Sequence, residues 1–210
     1  MPFITALEPE PAGSGIRVAV DDAPFGTVSA ADVRELRLAV GEALDDGRLS
    51  ALSGRADVFS ARTVALRVLA ARALPSREVA RRLTRKGHRR EAAEAAVGAL
   101  VESGLIDDLA FARHYAGTRA RRGKLGPGRL VRDLRRLGLA ERDAEAAVRE
   151  ALADEGLDPR VLLREAAAKK ARTLQGLDPA TGRRRLKAYL MRRGFSAGDV
   201  SEVVKEALAG

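Results

Sequence analysis

The residues best equipped for chemistry lie in GLIDDLAFARHYAGTRARRGKLGPGRLVRDLRRLGL, residues 104–139. Phe111 and Tyr115 stand four apart, which puts both on one face of a helix. Arg113, Arg119, Arg121, Arg122 and Lys124 lead into Gly126-Pro127-Gly128, and Arg129, Arg132, Arg135 and Arg136 follow on the next helix. A flexible basic loop between two basic helix ends is suited to phosphate groups. The competing reading makes these arginines a solvated face. So much like charge with few acids nearby costs self-repulsion, which favours contact with a partner. Phe111 reads as core, while Tyr115 fits the core and a contact role equally.

Covalent and metal chemistry have few residues to work with. There is no cysteine, so there is no disulfide, thiolate metal site or thiol nucleophile. Only His88 and His114 are available for a histidine-based metal site or triad. No GxxxxGK[ST], GxGxxG after a strand, or HExxH occurs. Asp21-Asp22, Asp45-Asp46 and Asp107-Asp108 fall at turns and helix starts, where capping explains them. The chain is read as a non-enzyme with no catalytic residue, no cofactor and no metal. Its apolar runs are too short to cross a bilayer, and MPFITALEPEPAGSG lacks the basic and apolar regions of a secretory signal. The expected protein is a soluble, cytoplasmic monomer.

Charge is divided along the chain. The 210 residues carry a net charge of +9, with residues 1–59 at −5 and residues 60–210 at +14. An acidic leader on a basic body points to a polyanion partner for the body. Arg-rich helices that merely solubilise an Ala-rich protein account for the charge equally well.

Those groups need elements to hold them. Ile4 to Leu7, Ile16 to Val20 and Phe25 to Val28 read as strands of a small antiparallel sheet. Ser29 and Asp32 form a capping box for a helix to about Ala39, and Asp45 or Asp46 caps another through about Leu52. From Ser60 onward helical periodicity continues between glycine and proline breaks. Asp-Pro pairs at 158–159 and 178–179 supply a capping carboxylate and a proline at the first helical position.

The body repeats itself. VARRLTRKGHRREAAEAAVGALV (79–101), LVRDLRRLGLAERDAEAAVREAL (130–152) and LKAYLMRRGFSAGDVSEVVKEAL (186–208) align without gaps on Gly87, Gly138 and Gly194. Leu83, Leu134 and Leu190 coincide, as do Val97, Val148 and Val204, and then Val101, Leu152 and Leu208. His88 coincides with Leu139 and Phe195, so it reads as a packed structural histidine. His114 is placed on the exposed side of its helix. Arg85, Arg136 and Arg192 recur one residue off the apolar stripe, and Arg81 coincides with Arg132. A preceding helix in each case, around Val64 to Arg72, Ala110 to Arg119 and Val161 to Arg172, completes three units. The expected fold is mainly α: three tandem three-helix repeats in an elongated array after a mixed α/β segment. The expected divisions are 1–59, 60–106, 107–157 and 158–210.

The run LIDD-x-x-FA-x-x-Y-x-x-x-R, the basic GP loop and the L-x-x-x-L-x-x-x-G helix resemble the RecX family of recombinase regulators. SREVARRLTRKG and RRLKAYLMRRGF are similar to that family's first and third units, and ITALEP with its hairpin to its leader. Arg89 and Ala140 stand where polar helix caps are expected. The resemblance implies binding to the RecA–DNA filament and modulation, mostly inhibition, of recombinase, ATPase and co-protease activity in the DNA-damage (SOS) response. The expected partners are that filament and, weakly and without sequence preference, single- and double-stranded DNA. The expected contact residues are Arg81, Arg85, Arg113, Tyr115, Arg119, Arg121, Arg122, Lys124, Arg129, Arg132, Arg135, Arg136 and Arg192. A nonspecific DNA-binding protein and a helical-repeat adaptor for an acidic protein are the alternatives.

Overall fold

A computed structural model of the chain describes residues 1–11, 13 and 15–207. They fall into two compact units, Met1–Ile106 and Asp107–Gly210.

In the first unit, β1 (Ile4–Pro9), β2 (Gly15–Val20) and β3 (Ala23–Ser29) form an antiparallel sheet in the order β1-β2-β3. Asp21 and Asp22 take left-handed φ values of 49° and 62° at the β2–β3 turn. Such a two-residue turn matches the twist of the strands it joins. The Ser29–Asp32 capping box opens α1 (Ala30–Glu35), as its sequence predicts. The helix stops four residues short of Ala39 because Arg37 turns left-handed, with φ 51°, and carries Leu38 into the core, where it is buried.

The helix capped by Asp45 does not stop at Leu52. It runs to Ala71 as α2 (Asp46–Ala71), because no proline or left-handed stop intervenes and a single Gly54 costs only about 1 kcal/mol. The expected division at residues 59–60 therefore falls inside one helix. Leu52 packs with Ile4, Val18, Val28 and Leu44 under the sheet. Two turns further on, Ala61 and Ala65 pack with Val79, Leu83, Ala96 and Leu100 of α3 (Ser76–Arg85) and α4 (Arg90–Glu102).

The second unit holds six helices: α5 (Asp108–Gly123), α6 (Pro127–Leu137), α7 (Glu141–Asp154), α8 (Pro159–Arg172), α9 (Pro179–Arg192) and α10 (Ala197–Glu206). They share one continuous core that runs from Ala112 to Val204 and includes Leu134, Leu139, Leu152, Leu163, Leu190 and Phe195. The expected division at 157–158 thus crosses a common core.

The repeat register is visible in three dimensions. Leu83, Leu134 and Leu190 are each fully buried in the middle helix of a set of three. Four residues later, Gly87, Gly138 and Gly194 adopt φ values of 96°, 111° and 84°, a left-handed stop that side chains disfavour. Val97, Val148 and Val204 are buried as aligned, but Val101 is 46% exposed while Leu152 is buried. Leu208 lies outside the described residues. Among the described residues no helix is long and apolar enough to cross a membrane.

Candidate functional site

The basic segment of the second unit is built on the α5–α6 connection. Asp107 caps α5 by accepting from the Leu109 and Ala110 N–H groups, at 3.0 and 2.9 Å. Phe111 and Tyr115 stack with their centroids 5.9 Å apart, both half-buried against the core, and the Arg119 guanidinium lies 5.3 Å above the Tyr115 ring. Tyr115 thus serves core and surface together, and its ring is already covered by a cation. His114 is exposed.

The glycine–proline loop is tied by hydrogen bonds to the turn after α9. The Gly126 N–H donates to the Arg193 carbonyl at 2.8 Å and the Gly128 N–H to the Gly194 carbonyl at 3.1 Å. Arg193 completes the clamp: its guanidinium donates to the Gly123 and Lys124 carbonyls at the end of α5 and lies 4.6 Å from the Tyr189 ring centroid. A Cβ on Gly126 would meet the Gly194 oxygen at 2.6 Å, so the approach depends on glycine. The turn after α9 holds the loop in place, a contact between residues some 70 positions apart.

Much of the expected cationic surface is internally paired. Arg113 meets Glu150 at 3.4 Å, Arg129 meets Asp133 at 2.9 Å and Arg135 meets Glu141 at 3.0 Å. Arg121 pairs with Glu155 and Lys124 with Glu165. Exposed pairs of this kind add about 0–1 kcal/mol each, but they do reduce the positive field. Among the described residues Arg119, Arg122, Arg132 and Arg136 have no acidic partner, although Arg119 covers the Tyr115 ring. Arg132 also edges a cleft of about 880 Å³ between α6 and α7, floored by Val131, Val148, Leu152 and Leu157 and rimmed by Arg135 and Arg149 and by the acids Glu141, Glu145 and Asp158.

In the first unit, Arg81 and Arg85 converge with Arg82 on Glu78, a 6%-exposed carboxylate that the sequence reading overlooked. Its spacing of three, four and seven residues before those arginines was the available signal. Burial pushes the Glu78 carboxyl up, and the guanidinium groups of Arg82 and Arg81 outweigh it, leaving the group below its ordinary value.

His88 is packed as expected, but with a polar partner. Its Nδ1 lies 2.7 Å from Asp57 of α2. Asp57 also accepts from the Arg89 backbone N–H and from Arg89 Nε, both at 3.2 Å. The polar group missing at the start of α4 is therefore supplied by another helix. Burial raises the Asp57 carboxyl, and the bonds from His88 and Arg89 bring it below its usual value. Neither Arg89 nor Ala140 caps through its own side chain, whereas Ser196 accepts from the Asp199 N–H at 3.2 Å.

Besides Arg192, α9 carries four further cations outside the expected contact set, and residues 179–198 contain six basic residues and no acid.

Comparison with known proteins places this architecture. The family models for the second and third three-helix domains of RecX match residues 107–148 and 161–204. A regulatory protein RecX from Chlorobium limicola is 34% identical over 140 residues, spanning 67% of this chain and 84% of the relative. The chain belongs to the RecX family. A RecX regulatory protein from Streptomyces coelicolor is 32% identical over 154 residues, spanning 73% of this chain and 80% of its own length. A crystal structure of regulatory protein RecX shares the fold, with a TM-score of 0.77 over 98% of this chain and 100% of the other at 22% identity. RecX from Lactobacillus salivarius gives a TM-score of 0.61 over 72% of this chain and 96% of its own, at 20% identity. The Gly126–Gly128 loop and the Gly194 turn described above join the parts of this RecX chain that match the second and third domains.

Proposed function

We propose that this RecX-family regulatory protein binds the RecA–DNA filament and modulates recombinase, ATPase and co-protease activity in DNA repair, mostly by inhibition. Its membership among relatives named regulatory protein RecX carries this reading. The cleft between α6 and α7 supports it, because an apolar floor edged by Arg132, Arg135 and Arg149 and by Glu141, Glu145 and Asp158 suits a partner that offers an apolar side chain ringed by polar groups. Of the expected contact residues, Arg119, Arg122, Arg132, Arg136 and Arg192 have no acidic partner among the described residues; Arg81, Arg85, Arg113, Arg121, Lys124, Arg129 and Arg135 are already shared with acids of the same chain.

The test is ATP hydrolysis by RecA on single-stranded DNA, with and without this protein, beside a binding assay on the same DNA without RecA. A filament regulator lowers hydrolysis at concentrations too low to coat bare DNA. A nonspecific DNA-binding protein lowers it only as it occupies the DNA, and an adaptor for another acidic protein leaves it unchanged.

A further inference from the structure

Charge is sorted in the same way within each three-helix set. The middle helices α3 and α6 each carry four cations and one acid, and α9 carries five cations and no acid. The third helices α4, α7 and α10 are all net negative; α10, for example, has Asp199, Glu202 and Glu206 against Lys205. A helix that enters a nucleic-acid groove by its third position would meet phosphates with carboxylates, and like charges repel. The middle helix is the one suited to a polyanion.

The three middle helices differ in how much of their charge is free. In α3, Glu78 takes up Arg81, Arg82 and Arg85. In α6, Asp133 and Glu141 take up Arg129 and Arg135. In α9, Arg183, Arg184, Arg185, Lys187 and Arg192 are all exposed. Only Arg183 has an acid near it, Asp178, whose carboxyl lies below its ordinary value chiefly through bonds from Thr181. Among the described residues the other four have no acidic partner. Leu186 and Leu190 face the core, so at 100° per residue Arg184 and Arg192 lie on the opposite face, with the exposed Lys187 on the flank beside Arg184. Those three span nine residues, about 12 Å of helix, a distance that covers about two or three phosphates of one strand. Tyr189, on the flank, is engaged by Lys170 Nζ at 5.6 Å and the Arg193 guanidinium at 4.6 Å, which leaves the surface with cations and without a ring open for base stacking.

We infer that the exposed face of α9 docks the sugar–phosphate backbone of DNA through Arg184, Lys187 and Arg192, without reading bases, and does so independently of the recombinase. The inference rests on the proposed function only for the identity of the polyanion as DNA. Charge complementarity is its basis: four cations without an acidic partner stand on α9, whereas α3 shares three of its four cations with an acid and α6 two of its four.

The experiment uses the full chain and a fluorescent single-stranded oligonucleotide of mixed sequence, with no recombinase present, and follows anisotropy from 50 to 200 mM salt. The triple change Arg184→Gln, Lys187→Gln, Arg192→Gln should weaken binding at least about ten-fold at the lowest salt and reduce the slope of log affinity against log salt by about 2, at ~0.7 per lost contact. The matched triple Arg122→Gln, Arg132→Gln, Arg136→Gln removes the same charge and should weaken binding much less. The pair Arg184→Lys, Arg192→Lys should bind close to the parent, and circular dichroism should show every variant folded. Equal losses from the two Gln triples would reduce the effect to net charge and overturn the inference, as would a parental slope in the α9 triple. RecA hydrolysis is measured separately. A parent protein that binds DNA through α9 yet leaves hydrolysis unchanged overturns the proposed function alone. A protein that inhibits hydrolysis with the α9 triple still binding DNA normally overturns this inference alone.

Discussion

Gly87 and Gly194 occupy the same place in the repeat and have similar backbone angles, φ 96° and 84°, but different surroundings. A Cβ on Gly87 would meet nothing within 4 Å, whereas one on Gly194 would lie 2.1 Å from the Arg129 nitrogen and 2.7 Å from its Cα. Gly87→Ala should therefore cost only the left-handed conformation, about 1–2 kcal/mol. Gly194→Ala adds a collision with backbone. The loop must then leave the turn, and overpacking brings the total to about 2–5 kcal/mol. The two units can unfold separately, so a single melting temperature blurs the result. Hydrogen exchange resolved to residues 123–130 is the better assay. In Gly194→Ala the Gly126 and Gly128 amides, which donate to the Arg193 and Gly194 carbonyls, should lose most of their protection, while Gly87→Ala leaves them unchanged. Equal protection of these amides in parent and Gly194→Ala would refute the clamp.

Leu83→Ala, Leu134→Ala and Leu190→Ala should each cost about 2–5 kcal/mol in urea unfolding, since all three are fully buried; a loss under 1 kcal/mol at one site would break the proposed equivalence. Glu78 and Asp57 both have carboxyls held below their ordinary values. Their contribution is thus fully present at neutral pH and is lost as pH falls below about 4, toward the depressed values. Urea midpoints of the first unit should drop in that range, and Glu78→Gln or Asp57→Asn should flatten the profile; an unaltered profile in both variants contradicts the assignment. Reversing Arg121 and Lys124 to Glu would set carboxylates against Glu155 and Glu165, so that variant should lose stability as well as charge, whereas Arg122→Gln should lose only charge by the same unfolding assay. In the first unit Arg48→Gln should lower stability in the same assay, because Arg48 donates to Glu42 and to the Leu36 carbonyl, whereas Arg34→Gln should leave it unchanged.

The helical framework was legible because its signals are local. Apolar spacings of four and seven, the repeat glycines and the Asp-Pro starts each act within a turn or two. The three leucines and the packed site of His88 followed from the alignment of repeats. The length of α2 was not legible, since its continuation past Leu52 depends on serving one core with Leu52 and another with Ala61 and Ala65. Nor was the docking of Gly126–Gly128 on the Gly194 turn, which joins glycines far apart in sequence through backbone atoms that carry no sequence signature. The basic loop looked freer than it is because its acids are elsewhere in the chain: Glu150, Glu155 and Glu165 come from α7, its end and α8. Charge density along the sequence therefore pointed to residues 113–136, while the least compensated charge lies on α9. Asp57, acting on His88 and Arg89 from more than 30 residues away, escaped for the same reason.

Retention of the protein on RecA filaments tests the central claim most directly. Filaments assembled on single-stranded DNA with a slowly hydrolysed nucleotide are sedimented with the labelled protein, beside equal amounts of bare DNA and of RecA without DNA. The proposed function predicts saturable retention by the filament at concentrations where neither component alone carries the protein down. Retention no greater than that on bare DNA, at every salt concentration, would contradict it.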